Sequence, residues 1–304
     1  MKPVRKLVWA IVIVLAVTVA VATGFWARPL SYFNGLTYVQ MRLGGAKSLY
    51  ITVAGHRMHY YSWGPEAGSP VVLVHGLGGR SEDWRNLAPY LVRSGHRVYM
   101  PDLPGYGRSE KPADFSYSIS DEASAVLGFM NALGLMQVDL GGFSMGGWLT
   151  QYFSANHPER VRKLMLFDSA GLYVKPAWNT DLFTPVSAKE LDQLDALLMP
   201  HPPVVPSFIA DDVLRASRND AWVIHRAIAS MSTGRDTTDR LLPNLKMPVL
   251  IVWGALDQTI PLSQGETIHS LVPQSQMEVV KGCGHLAPVQ CADKIGPTVA
   301  EFLK

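Results

Sequence analysis

The sequence predicts an α/β fold, a mostly parallel central sheet with helices on both faces, preceded by one membrane-spanning helix. Three observations predict it. Short apolar runs of strand length alternate with helical patterns along most of the chain. The pentapeptide Gly142-Phe143-Ser144-Met145-Gly146 sits where one such run meets one such helix. Residues 7–26, LVWAIVIVLAVTVAVATGFW, run for about 20 residues without a charge, enough to cross a hydrocarbon core of about 30 Å as a helix.

Lys2, Arg5 and Lys6 precede that stretch, so the positive-inside rule places the N-terminus in the cytoplasm and the rest of the chain across the membrane. Ala20-Val21-Ala22 would also suit a signal peptidase, and cleavage there would give a secreted protein beginning at Thr23. The apolar run exceeds the roughly 7–15 residues of a signal h-region, which favours an anchor over residues 1–28. In the juxtamembrane segment 29–48, Leu30, Phe33, Leu36, Val39 and Leu43 recur at helical spacing, with Pro29 in front and Gly44-Gly45 behind. That helix either lies on the membrane surface or packs on the domain.

Residues 49–53 and 56–63 alternate apolar and polar around Ala54-Gly55, as a hairpin does. The period then changes. Val71, Val72, Leu73 and Val74 form a continuous apolar run, the mark of a strand buried on both faces. Similar runs follow at 97–100, 137–141, 161–167, 248–253 and 276–281, with helical patterns at 81–94, 120–133, 145–157, 263–272 and 288–303. Residues 172–245 break the alternation. They carry helical stretches near 187–199, 207–218 and 219–232, interrupted by Pro200, Pro202, Pro203 and Pro206. So long an excursion is usually functional. The chain therefore divides into a first core part at 49–171, a helical cap at 172–245 inserted after the sixth strand, and a second core part at 246–304.

Composition narrows the function. With 27 basic and 25 acidic residues the net charge is +2, and no basic stripe offers a nucleic-acid surface. Cys283 and Cys291 are the only cysteines; without zinc spacing or a disulfide framework they read as two unpaired small hydrophobes, with a single bridge between them as the alternative in an oxidising compartment.

In a strand–turn–helix context, G-x-S-x-G has a mechanical meaning. The serine tops a tight turn, and the helix behind it offers free N–H groups to an oxyanion. Ser144 is therefore the candidate nucleophile. The run 71–74 ends in His75-Gly76-Leu77-Gly78-Gly79, which places the Leu77 N–H opposite that of Met145 as two oxyanion donors. His75 is a possible base but suits better the task of holding that turn. His285, in Gly282-Cys283-Gly284-His285 beyond the last strand, has the placement a base requires. Asp257 ends the preceding strand segment and can fix the imidazole tautomer. Asp168, at the end of 161–167, is its rival.

Ordered along the chain, these motifs resemble the α/β-hydrolase superfamily over residues 49–304. The segments Pro101-Asp102-Leu103-Pro104-Gly105-Tyr106-Gly107-Arg108-Ser109 and Asn156-His157-Pro158-Glu159-Arg160-Val161 match family segments that shape the edge of the site. The resemblance implies a serine hydrolase with no cofactor and no metal. It is similar above all to membrane-anchored monoacylglycerol-lipase-like esterases and lipases, which act on small-molecule or lipid esters with apolar acyl chains. A serine in the elbow departs from the dehalogenases and epoxide hydrolases of this fold, which carry aspartate there. The meta-cleavage C–C hydrolases share Ser144-Met145-Gly146-Gly147, but their oxyanion loop is not matched by Leu77-Gly78-Gly79-Arg80. A C–C hydrolase, or a cofactor-free lyase or oxidase on the same triad, is the alternative, and a non-catalytic binding member of the fold is the third reading. Cap residues such as Trp178, Phe183, Phe208 and Trp222 are the expected lining of an acyl pocket.

Overall fold

In a computed structural model describing residues 2–304, with side chains from Val4 onward, the chain begins with two consecutive helices, α1 (Lys2–Ala27) and α2 (Pro29–Leu43). β1 (Lys47–Val53) and β2 (His56–Trp63) follow, then β3 (Pro70–Val74), α3 (Ala88–Arg93), β4 (Arg97–Pro101), α4 (Ile119–Ala132), β5 (Val138–Phe143), α5 (Met145–Asn156) and β6 (Val161–Phe167). α6 (Ala188–Leu198) and α7 (Ser207–Met231) precede β7 (Val249–Gly254), α8 (Leu262–Leu271), β8 (Gln276–Val280), α9 (Ala287–Gln290) and α10 (Ala292–Phe302).

The eight strands form one sheet in the order β1-β2-β4-β3-β5-β6-β7-β8. β1 pairs antiparallel with β2, and β2 antiparallel with β4; every other pairing is parallel. The hairpin turns on Ala54 (φ 50°) and Gly55 (φ 89°), two residues with positive φ as a tight primed turn demands. The period-2 side-chain rule sorts each central strand between two cores. Val72, Val74, Leu164, Leu166 and Ile251 face one cluster with Val126 of α4 and Phe153 of α5. Val71, Leu73, Met165, Phe167 and Val252 face the other, with Met41 of α2, Leu91 of α3 and Val299 of α10. Truncating a side chain as fully enclosed as Phe129 or Phe153 to alanine would cost about 3–5 kcal/mol.

Chain progression reverses between β3 and β5. The chain winds from β3 outward to β4, then returns to place β5 on the other side. The crevice above the strand ends at such a switch point is where open α/β sheets bind ligands.

Several expected elements differ in detail. The pattern at 81–94 resolves into a 3₁₀ turn, Ser81–Arg85, and α3, because Pro89 can begin a helix but not continue one. The stretches near 207–218 and 219–232 are one uninterrupted α7; no glycine or proline divides them. The C-terminal helix breaks at Cys291 (φ −118°, ψ 25°) between α9 and α10. There the reading of two unpaired cysteines is corrected: Cys283 and Cys291 are disulfide-bonded, with Cα atoms 6.4 Å apart. The turn between β8 and α9 folds them face to face. Closing so short a loop contributes about 2–3 kcal/mol through the unfolded chain.

Candidate active site

Ser144 stands at the junction of β5 and α5 with φ 55° and ψ −117°, a sparsely populated conformation for a residue with a side chain. The surroundings hold it there. Its N–H donates to the Phe167 carbonyl at 3.0 Å, and its own carbonyl accepts from Trp148 and Ala170, both at 3.1 Å. The elbow glycines are sterically required. A Cβ on Gly142 would fall 2.2 Å from the Gly146 carbonyl oxygen, and one on Gly146 would fall 2.4 Å from that of Val74. No other residue lets the helix pack so closely on the sheet.

The structure brings Ser144, His285 and Asp257 together from points far apart in the chain. His285 Nε2 lies 2.9 Å from Ser144 Oγ, and His285 Nδ1 lies 2.8 Å from Asp257 Oδ2. With Nδ1–H donating to the carboxylate, Nε2 is left as acceptor for the serine hydroxyl. Asp257 is oriented in turn: its Oδ1 accepts the N–H groups of Thr259 at 2.8 Å and Ile260 at 2.9 Å. The Phe143 ring packs on the imidazole with centroids 5.1 Å apart. All three residues are buried, and His285 is only 2% exposed.

Asp168 sits beside this chain of bonds but outside it. Its Oδ1 accepts the Gly254 N–H at 2.7 Å, bracing the strand that carries Asp257. Burial, with the Asp257 charge adding to it, pushes the Asp168 carboxyl well above the usual carboxylate range. His75 is likewise occupied. Its Nε2 accepts the Leu103 N–H at 3.1 Å and its Nδ1–H donates to the Gly76 carbonyl at 2.8 Å, so it joins two loops.

Gly76 lies against the serine; a Cβ there would meet Ser144 Cβ at 3.1 Å. That brings the following Leu77 N–H beside the elbow, where Met145 opens α5 and its N–H has no acceptor within the helix. Among the described residues neither N–H donates to a protein acceptor. The loop is pinned from behind, where Asp102 Oδ1 accepts the Ser81 N–H at 2.6 Å and Oδ2 accepts His59 Nδ1–H at 2.8 Å. Burial would raise the Asp102 carboxyl, but the hydrogen bond and charge of His59, with His75 and the Arg108 N–H, together hold it below the usual carboxylate range.

Matching this geometry, residues 69–188 and 188–290 fit a family described as the alpha/beta hydrolase fold. The chain belongs to the α/β-hydrolase family. Among its relatives, the 2-hydroxymuconate semialdehyde hydrolase of Pseudomonas putida is 31% identical, over 83% of this chain and 92% of the relative. Lipase 1 of Psychrobacter immobilis is 27% identical, over 82% of this chain and 81% of the relative. A solved membrane phospholipase A, a bacterial virulence factor, has the same fold, with a TM-score of 0.83 over 98% of both chains at 24% identity. These relatives make this α/β-hydrolase a hydrolytic enzyme.

The segment 172–245 adds contacts that no sequence motif announced. The Leu198 carbonyl at the end of α6 accepts the His285 backbone N–H at 3.1 Å, and the Leu197 carbonyl accepts Thr259 Oγ1–H at 3.1 Å. Trp178 donates its indole N–H to the Thr259 carbonyl and stacks on Phe183. Asp257-Gln258-Thr259 is the pattern of an Asx turn, and that signal could have flagged Thr259 from the sequence. The expected acyl-pocket lining does not gather in one place. Phe208 packs on Phe25 and Trp26 of α1, and Trp222 packs on Tyr117, because α7 presents different faces to different neighbours. Of these aromatic residues, Trp178 is hydrogen-bonded to the acid loop, and Phe183 packs on Trp178. A cavity of about 380 Å³ inside the cap, between Leu182, Thr184 and His225, contains no triad residue.

Proposed function

We propose that this α/β-hydrolase is a membrane-anchored serine esterase or lipase that cleaves carboxylic esters with apolar acyl chains through an acyl-enzyme. The observation that carries the reading is the hydrogen-bonded series Ser144, His285, Asp257 at 2.9 and 2.8 Å, set on an elbow beside two unengaged N–H groups.

In this mechanism His285 Nε2 takes the Ser144 hydroxyl proton as Oγ attacks the ester carbonyl. The N–H groups of Leu77 and Met145 hold the oxygen that becomes negative, each worth roughly 3–4 kcal/mol of barrier in comparable enzymes. The tetrahedral intermediate collapses, and His285 gives its proton to the leaving alcohol. Water then enters; His285 takes its proton as the oxygen adds to the acyl carbon, and His285 returns that proton to Ser144 Oγ as the free acid leaves. Asp257 keeps the imidazole in the required tautomer and balances the imidazolium charge. No metal or cofactor takes part.

The anchor reading rests on α1, where Val4–Ala27 is long and apolar enough to cross a membrane and its most apolar stretch is not buried against protein. The fold likeness to the membrane phospholipase covers 98% of this chain and so takes in its N-terminal helices. The catalytic domain would lie on the side opposite the cytoplasmic N-terminus, with residues 172–245 as a cap over the site.

A second reading is favoured by the semialdehyde hydrolase relative: C–C bond cleavage on the same triad. A panel of p-nitrophenyl esters of increasing chain length, run beside vinylogous diketones, separates the two. Turnover of esters with an optimum at medium or long chains is expected; turnover of diketones alone would overturn the esterase reading. Fluorophosphonate labelling at Ser144 tests whether the triad is active at all.

A further inference from the structure

The helix α2 is two-sided, and its sides meet different surroundings. On one side Met41 is buried and packs beside Trp63. Asn34 Oδ1 accepts Arg80 Nη2–H at 2.9 Å, just beyond the Leu77 loop, and the Gly44 carbonyl accepts the Trp63 indole N–H at 2.7 Å. On the other side Tyr32, Phe33, Leu36, Val39 and Leu43 are exposed by 39%, 43%, 55%, 48% and 84%. At 3.6 residues per turn these five fall within a sector of about 120°. Phe25 of α1 packs on Tyr32 and Phe33, while Leu36, Val39 and Leu43 stay exposed.

What covers them follows from chain continuity. Only Arg28 separates α2 from the apolar span α1. In one straight helix, Val21 and Tyr32 would lie about 16 Å apart along the axis, beyond the reach of a tyrosine. Yet the Tyr32 hydroxyl donates to the Val21 carbonyl at 3.2 Å, and Phe25 packs on both Tyr32 and Phe33. The chain therefore bends sharply at Arg28, and α1 leaves from the side of α2 that bears Tyr32 and Phe33. The membrane crossed by α1 begins on that same side.

The bend is clamped to the cap. Asp212 of α7, 4% exposed, accepts the Leu30 N–H at 3.0 Å and pairs with Arg215 at 2.8 Å and Arg28 at 4.0 Å. Arg215 also donates to the Ala27 carbonyl at 3.3 Å, and Phe208 packs on Phe25 and Trp26.

We propose that α2 is an interfacial helix. Its face of Tyr32, Phe33, Leu36, Val39 and Leu43 beds in the headgroup region of the bilayer that α1 crosses, and its opposite face carries the catalytic domain. The partner is a lipid surface, and Asp212 fixes the cap relative to it. This rests on the reading of α1 as a retained anchor. It goes further in giving the domain one orientation on the bilayer, with the loop at Arg80 and the cap helix both held close to the lipid.

Full-length protein tests it. Cys283 and Cys291 are paired, so a thiol introduced as Leu36→Cys is the only one free to take an environment-sensitive fluorophore. Val39→Cys is the second probe site. Ala132→Cys is the control, exposed at the end of α4 on the other face of the sheet from Met41. In phosphatidylcholine vesicles carrying a shallow spin-labelled lipid, fluorophores at 36 and 39 should be quenched and the one at 132 should not. Leu36→Lys combined with Leu43→Lys should lower hydrolysis of vesicle-borne ester relative to a soluble short ester by roughly tenfold, as productive contact with the surface is lost. Unquenched fluorophores at both 36 and 39, in protein that resists carbonate extraction, would overturn this proposal and leave the anchor standing. Release of the protein by carbonate would overturn both.

Discussion

The backbone of His285 donates to the carbonyl of Leu198 at 3.1 Å, so the proposed base is held by the last turn of a cap helix as well as by its own loop. Pro200 closes over the same point, since a Cβ on Gly284 would lie 2.6 Å from Pro200 Cδ. The end of α6 is thus in direct backbone contact with the loop that carries His285. Gly284→Ala should therefore lower kcat on short soluble esters while leaving KM nearly unchanged, because it displaces the base rather than the acyl site. Equal effects on kcat and KM would show that the contact only shapes binding.

Ser144→Ala and His285→Ala should each remove ester turnover, by roughly 10⁶-fold in kcat on precedent. Asp257→Asn should cost about 10⁴-fold, since it leaves the imidazole in the wrong tautomer. Asp168→Asn is the discriminating control, expected to stay within about tenfold of the native rate because Asp168 braces Gly254 and does not touch His285. The opposite ranking of the two aspartates, measured as kcat at saturating ester, would transfer the acid role to Asp168.

Glu122 on α4 is fully buried, and neither carboxylate oxygen has a hydrogen-bond partner. Burial, with Asp121 adding to it, pushes its carboxyl well above the usual range. A group raised in the folded state adds stability that is complete below its unfolded value and is lost as pH rises through its folded value. Glu122→Gln should therefore raise Tm in alkaline buffer and flatten the alkaline side of the Tm–pH curve. A Tm gain confined to acidic buffer would contradict this assignment.

The disulfide lies two residues before His285. Cys291→Ser should lower stability by about 2–3 kcal/mol in chemical unfolding, the loop-closure contribution. It should also lower kcat, because Gly282 (φ 75°) and Gly284 leave that loop little stiffness of its own. Full activity in the serine variant would mean that Leu198 and Asp257 alone suffice to place the base.

Truncation should respect α2. A chain beginning at Arg28 keeps Met41 and Asn34 in place and should retain hydrolysis of soluble esters. One beginning at Gly44 uncovers the Met41 site and removes the Leu30 N–H from Asp212, and should lose about 2–5 kcal/mol of stability in urea unfolding.

The local code of this chain determined its sheet and the addresses of its chemistry. Strand runs such as 71–74 are apolar on both faces because helices cover both, and that pattern needs no partner to be read. Gly142 and Gly146 flank Ser144 because backbone approaches within 2.4 Å of any added Cβ, a constraint legible in the five residues themselves. Contacts between distant segments left no such mark. Nothing in Phe208 says that it will meet Trp26 rather than an acyl chain, since an aromatic residue on an amphipathic helix satisfies either surface equally. The pairing of Cys283 with Cys291, the break between α9 and α10, and the grip of Leu198 on His285 were likewise decided in three dimensions. Each depends on the distance between backbones that only the packed cap and the folded loop bring together, and hydrophobic period carries no information about that distance.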